Sequence, residues 1–240
     1  MEYRVFSSAD KLAVCCADIF TGILKSKKNC VLGLATGASP VKTYQELIRR
    51  YEAGRISFAD VTTFNLDEYC DLPRNDKNSY YTFMHKNLFN HVDIKEENAH
   101  LMDGNAADAE KEAAAFDAMI EQAGGIDIQL LGVGRNGHIG FNEPADAFSD
   151  GSFKVKLNES TIEANSIYFD ENPMPRYALT MGIGTIMKAK KIVLIATGEK
   201  KAQAIREAVK GKVTPRCPVS VLQDHPDALL LLDEAAASLL

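Results

Sequence analysis

Apolar residues in this chain gather in short runs, and between the runs they recur every three or four positions. Apolar-rich runs occupy residues 30–35 (Cys30-Val31-Leu32-Gly33-Leu34-Ala35), 61–66, 126–131, 191–196 and 228–232. A run of that length without polar alternation predicts a strand buried on both faces. Residues 1–5 read as a further short strand. The intervening stretches predict helices over about 7–24, 40–54, 80–89, 106–122 and 200–210. Ser7, with Asp10 three residues on, reads as an N-terminal cap for the first. Ser39 before Pro40 reads as the cap of the second, and Gly54 as its stop. Phe116, Met119 and Ile120 share a face of the fourth, which Gly124-Gly125 ends.

Strands alternating with helices predict an α/β domain, a mostly parallel sheet with helices on both faces. Residues 145–176 lack strong periodicity and read as an inserted flap, which the expected function places at the active site. No linker or internal repeat divides the chain, so residues 1–240 are expected to form one domain.

Composition narrows the class. The 240 residues are 46% hydrophobic, enough for a sizeable core, and carry a formal charge of -6. A nucleic-acid footprint is not expected of an acidic chain. No apolar run reaches the roughly 20 residues of a spanning helix, and the first residues do not resemble a signal peptide. The five cysteines (Cys15, Cys16, Cys30, Cys70, Cys217) are odd in number and scattered. Reduced thiols in a cytoplasm fit that usage.

The densest chemistry follows the 126–131 strand. Residues 130–144 read Leu-Leu-Gly-Val-Gly-Arg-Asn-Gly-His-Ile-Gly-Phe-Asn-Glu-Pro. Gly132, Gly134 and Gly137 spell a dinucleotide-binding G-x-G-x-x-G, but that reading needs a helix opening at the last glycine. Gly140 and Pro144 interrupt any such helix. A tight loop aiming Asn136, His138 and Glu143 into one cleft is the alternative. His138 with Glu143 can form a base and its orienting partner. A satisfied core histidine is the plain reading. A zinc site lacks a third close ligand.

Two other strand ends carry candidates. Thr36-Gly37-Ala38-Ser39-Pro40 joins a strand to a helix, where backbone N–H groups and hydroxyls can seat a phosphate. It can equally be a serine-capped turn, and it lacks the lysine of a nucleotide loop. Asp67-Glu68 follows the strand at 61–66. Either acid can serve as a base or can edge a solvated loop. Asp67, held directly by the strand, is the stronger candidate. Lys201 near the start of a helix can meet a phosphate or face solvent.

Taken together, residues 34–40, 64–69 (Phe-Asn-Leu-Asp-Glu-Tyr), 132–144 and 177–185 (Tyr-Ala-Leu-Thr-Met-Gly-Ile-Gly-Thr) resemble the glucosamine/galactosamine-6-phosphate isomerase family, on its deaminase side. Related 6-phosphogluconolactonases share the fold and a similar glycine loop. The resemblance implies a Rossmann-like fold and a cofactor-free, metal-free conversion of glucosamine 6-phosphate and water into fructose 6-phosphate and ammonia. It implies that Asp67 moves the proton between C2 and C1. His138 handles the ring oxygen and Glu143 orients it. Asn136 stands where many members carry an aspartate. Thr36, Gly37, Ala38, Ser39 and Lys201 are the implied phosphate contacts.

Longer members carry a phosphate-binding arginine in the stretch that here reads Asn165-Ser166-Ile167-Tyr168, which shifts that grip toward Ser39, Lys201 or Arg176. The chain ends at Leu240, without the extension that helps form the allosteric site of hexameric members. A monomer or small homo-oligomer, not activated by N-acetylglucosamine 6-phosphate, is the expectation. The expected partner is a small sugar phosphate, with no nucleic acid and no membrane. The rival functions are a 6-phosphogluconolactonase, a deaminase of another amino sugar phosphate and a non-catalytic sugar-phosphate sensor.

Overall fold

The computed structural model describes residues 1–166, 169 and 173–240. In chain order the strands and α-helices are β1 (Glu2–Phe6), α1 (Ala9–Ser26), β2 (Val31–Leu34), α2 (Val41–Glu52), β3 (Thr62–Asn65), β4 (Asp67–Tyr69), α3 (Tyr80–Asn87), β5 (Ala99–His100) and α4 (Ala109–Gln122). There follow β6 (Ile128–Leu131), β7 (Phe153–Lys156), α5 (Glu159–Ser166), β8 (Tyr177–Thr180), α6 (Ile183–Met187), β9 (Ile192–Ala196), α7 (Ala202–Lys210) and β10 (Ala228–Asp233). Among the described residues no helix is long and apolar enough to cross a membrane.

Seven strands form one parallel sheet in the order β1-β10-β9-β6-β2-β3-β5. Its inner strands β2, β6 and β9 are buried at every position, as their apolar runs require. Phe20 of α1, Phe116 of α4 and Ile205 of α7 are fully buried in the same core. Each such side chain contributes about 1.5–3 kcal/mol of burial. From β2 the chain steps outward through β3 to β5. It then returns to place β6 on the other side of β2 and steps outward again through β9 and β10. The order therefore reverses between β2 and β6, and ligands of open α/β sheets bind outside the carboxyl ends at such a reversal.

A second sheet, antiparallel and three-stranded in the order β4-β8-β7, was not legible in the sequence. The chain crosses between the sheets at Leu66. Its N–H donates to Leu34 O of the large sheet, and its carbonyl accepts from Met181 N beside β8. The strand expected over residues 61–66 thus ends at Asn65, and Asp67 begins a new one. Tyr69, Phe141, Leu157, Phe169, Met174 and Ala178 form a small core under this sheet. The 145–176 segment contributes β7 and α5 to this region.

Two caps lie elsewhere than expected. Ser8, not Ser7, caps α1, accepting from Lys11 N at 3.3 Å. Helix α2 begins at Val41 with Pro40 at the cap position and no side-chain cap bond, so Ser39 is not its cap. All five cysteines are free thiols.

Candidate active site

The carboxyl ends of β2, β3 and β6 open into a cavity of about 720 Å³, a volume suited to a small ligand. The turn after β2 lines it with Thr36, Gly37, Ala38 and Ser39. Asp67 enters from the crossing between the sheets. The glycine loop after β6 contributes Asn136 and His138, and Lys201 lines the cavity as well.

Asp67 is only 6% exposed. It is held opposite Thr180 in the antiparallel ladder, and Thr36 Oγ1 donates to its Oδ1 at 3.4 Å. Burial, and next the charge of Glu68, push its carboxyl up to about 7. A carboxylate of that basicity, poised near neutral pH, suits general-base work. Glu68 does not line the cavity. Its Oε1 accepts from the backbone N–H groups of Tyr69 at 2.8 Å and Tyr80 at 2.9 Å, and its Oε2 from Tyr81 N at 2.8 Å. It ties the first turn of α3 to the strand that bears Asp67.

The glycine loop folds on itself. Gly134 N donates to His138 O at 2.8 Å, and Gly137 N to Gly134 O at 3.1 Å. Gly137 and Gly140 adopt positive φ of 85° and 56°, conformations that a side chain disfavours. Asn136 accepts from His138 N at 3.2 Å and donates through Nδ2 to Glu143 Oε2 at 2.6 Å. The same carboxylate oxygen lies 3.5 Å from His138 Nδ1, at ion-pair distance but without the alignment of a hydrogen bond. The Thr161 hydroxyl donates to Glu143 Oε1. Burial alone would raise Glu143, but His138, Thr161 and Asn136 together hold it down at about 2. Glu143 therefore stays ionised behind the loop. It does not line the cavity but supports Asn136 and His138, which do. Asn142 pins the loop through Nδ2 to Ile139 O and Met181 O.

Arg135, Tyr80, Gly140, Phe141, Thr161 and Glu163 also line the cavity, and none was selected from the sequence. Arg135 sits inside the glycine loop, three residues before His138. Tyr80 stacks on Phe141 with ring centroids 6.2 Å apart. Neither it nor Thr161 carries a local signal, since each reaches the cavity through tertiary packing. Arg176 is not among the described lining residues; it stands 3.8 Å from Glu159 with both side chains exposed. Ile167 and Tyr168 lie outside the described residues. Among the described residues no group of three His, Cys, Asp or Glu side chains is arranged to hold a metal ion.

The fold and the site define a doubly wound α/β protein with a buried acid and an imidazole facing one cavity at the switch point. The family described as Glucosamine-6-phosphate isomerases/6-phosphogluconolactonase matches residues 6–231, and the chain belongs to it. A glucosamine-6-phosphate deaminase of Lysinibacillus sphaericus is 52% identical over 232 residues, which cover 96% of this chain and 98% of the relative. A solved structure of a monomeric glucosamine-6-phosphate deaminase superposes with a TM-score of 0.96 at 42% identity, covering 100% of both chains. A 6-phosphogluconolactonase of Leishmania guyanensis superposes with a TM-score of 0.75 at 19% identity over 98% of this chain and 97% of its own, a likeness of fold alone.

Proposed function

We propose that the chain is a glucosamine-6-phosphate deaminase, releasing fructose 6-phosphate and ammonia from its substrate and water. The observation that carries this reading is a buried Asp67, with a carboxyl at about 7, facing the same cavity as His138. The 52% identity to a deaminase over almost the whole chain supports it.

In this reading the phosphate rests on the turn of Thr36, Gly37, Ala38 and Ser39 and against Lys201. His138 moves a proton to the ring oxygen as the C1 hydroxyl loses one, and the pyranose opens. Asp67 then removes the C2 proton while the C1 oxygen takes one from the ammonium nitrogen, leaving an enolamine, and Asp67 returns its proton to C1. The C2 imine that results takes up water and expels ammonia. The C2 proton is weakly acidic, so the base must be held close and kept basic. Burial does both for Asp67. Glu143 and Asn136 hold His138 in place. The 145–176 segment, which brings Thr161 and Glu163 to the cavity wall, serves as the flap over a bound sugar.

The assay is release of ammonia and fructose 6-phosphate from glucosamine 6-phosphate. In deuterated water the product should carry isotope at C1. A folded, inactive preparation that glucosamine 6-phosphate still stabilises against heat would instead indicate a sensor. Turnover of 6-phosphogluconolactone alone would make it a lactonase. The 42% identity to a monomeric deaminase supports a monomer or small oligomer with hyperbolic kinetics. A sigmoidal rate curve made hyperbolic by N-acetylglucosamine 6-phosphate would overturn that part.

A further inference from the structure

We infer that Arg135 is a phosphate-binding residue of this cavity, acting with Lys201 as a two-cation grip that selects phosphorylated sugars; the inference rests on the sugar-phosphate reading above. The bond from Gly137 N to Gly134 O closes a four-residue turn, with Arg135 and Asn136 at its two corners. The Asn136 side chain is committed to Glu143. Arg135 lines the cavity and, among the described residues, has no ion pair and no side-chain hydrogen bond. Lys201 lines the same cavity, is half-buried, and likewise has no side-chain partner among the described residues.

Two cations lining one cavity, neither of them ion-paired among the described residues, form an arrangement that an anion completes. Burial, and secondly the Arg135 charge, bring down the Lys201 pKa, which places the two groups within electrostatic reach of each other. Among the described residues the carboxylates lining the cavity are Asp67 and Glu163, and neither ion-pairs with Arg135 or Lys201. A phosphate monoester carries about 1.5 to 2 negative charges near neutral pH. Arginine meets it with a planar fork and lysine with a point charge. The turn of Thr36, Gly37, Ala38 and Ser39, which leads into the N-terminus of α2, lines the same cavity and offers backbone donors as well. Asp67 and His138 are then left to the reacting carbons.

The test compares wild type, Arg135→Ala and Arg135→Lys in steady-state kinetics with glucosamine 6-phosphate and in thermal unfolding with inorganic phosphate. Arg135→Ala should raise KM about tenfold or more, with the larger part of the effect in KM rather than kcat. It should weaken competitive inhibition by inorganic phosphate to a similar degree and shrink the phosphate-induced rise in Tm. Arg135→Lys should recover only part of each, because the fork is lost. If KM, phosphate inhibition and the Tm shift of Arg135→Ala all stay within twofold of wild type, Arg135 is a solvated surface group and the inference fails. A wild type inactive on glucosamine 6-phosphate would instead reject the functional reading. The phosphate-induced Tm shift still decides the role of Arg135 in that case.

Discussion

Gly134 lies directly against the imidazole of His138. A Cβ added at Gly134 would sit 2.2 Å from His138 Cε1 and 2.3 Å from its Nδ1, far inside contact distance. The φ of this glycine is not positive, so what the position requires is the absence of a side chain. A glycine at 134 leaves the space beside the backbone that the imidazole occupies while it lines the cavity.

Gly134→Ala should therefore push the imidazole out of place. We expect kcat on glucosamine 6-phosphate to fall by about 100-fold, as when a catalytic group is misplaced by an ångström. Relief of the overlap should cost about 1–3 kcal/mol of stability. A Gly134→Ala enzyme with wild-type kcat would show that the position of the ring is not critical.

Asp67→Asn should abolish proton transfer while the variant still binds substrate, seen as ligand-induced thermal stabilisation without product. Its stability carries a second signature. In the folded protein Asp67 holds its proton up to about 7, whereas the unfolded chain releases it near the ordinary value of 3.8. Between those values the folded state binds more protons, so wild-type stability declines as pH rises through the window and is flat above it. The cost of ionising the buried group is at most ~4 kcal/mol. Asp67→Asn does not titrate, so its Tm should exceed that of wild type at pH 8, with the gap closing toward pH 4. Equal Tm differences at both pH values would contradict the raised carboxyl.

Glu68→Gln tests the electrostatic neighbour. The Glu68 charge is the second cause of the raised Asp67 carboxyl, after burial. Removing it should move the acidic limb of the kcat/KM profile to lower pH without returning it to the ordinary carboxylate range. The amide cannot accept all three backbone N–H groups, so a loss of about 1–3 kcal/mol should accompany the shift. An unmoved acidic limb would mean that the limb belongs to another group.

Glu143→Gln should lower kcat by one to two orders of magnitude, roughly the effect of removing a group that orients a catalytic or metal-bound histidine. Held by its partners, the folded Glu143 carboxyl lies at about 2, against an ordinary value of 4.5. The unfolded state binds the extra proton between those values, so Glu143 supports the fold above 4.5 and that support is lost as pH falls toward 2. The variant should show a flatter decline of Tm with acid over that window. An identical acid decline would place Glu143 outside the ion-pair network.

Much of the architecture was legible because its signals are local. The run from Val31 to Leu34 is apolar and becomes an inner strand of the large sheet. Gly124 and Gly125 stop α4 with φ of 86° and 78°. The small sheet was hidden because β4 is three residues long, too short to show a period. Its partner β8 lies far along the chain. The capping role read into Ser39 failed because Pro40 already supplies the helical φ at the cap position of α2. That Arg176 pairs with the exposed Glu159 and does not line the cavity could not be inferred from spacing.

The residue types and spacings by themselves determined an α/β chain whose strand ends carry an acid, a glycine loop with an imidazole, and hydroxyls beside a helix. Each of those is a short-range property, set by burial periodicity and turn chemistry within a few residues. Only the tertiary structure decided which side chains share a cavity and with what basicity. The crossing at Leu66 buries Asp67 opposite Thr180, and Glu68 is drawn to the start of α3. Desolvation and neighbouring charge act through space, and they become readable only where distant segments pack together.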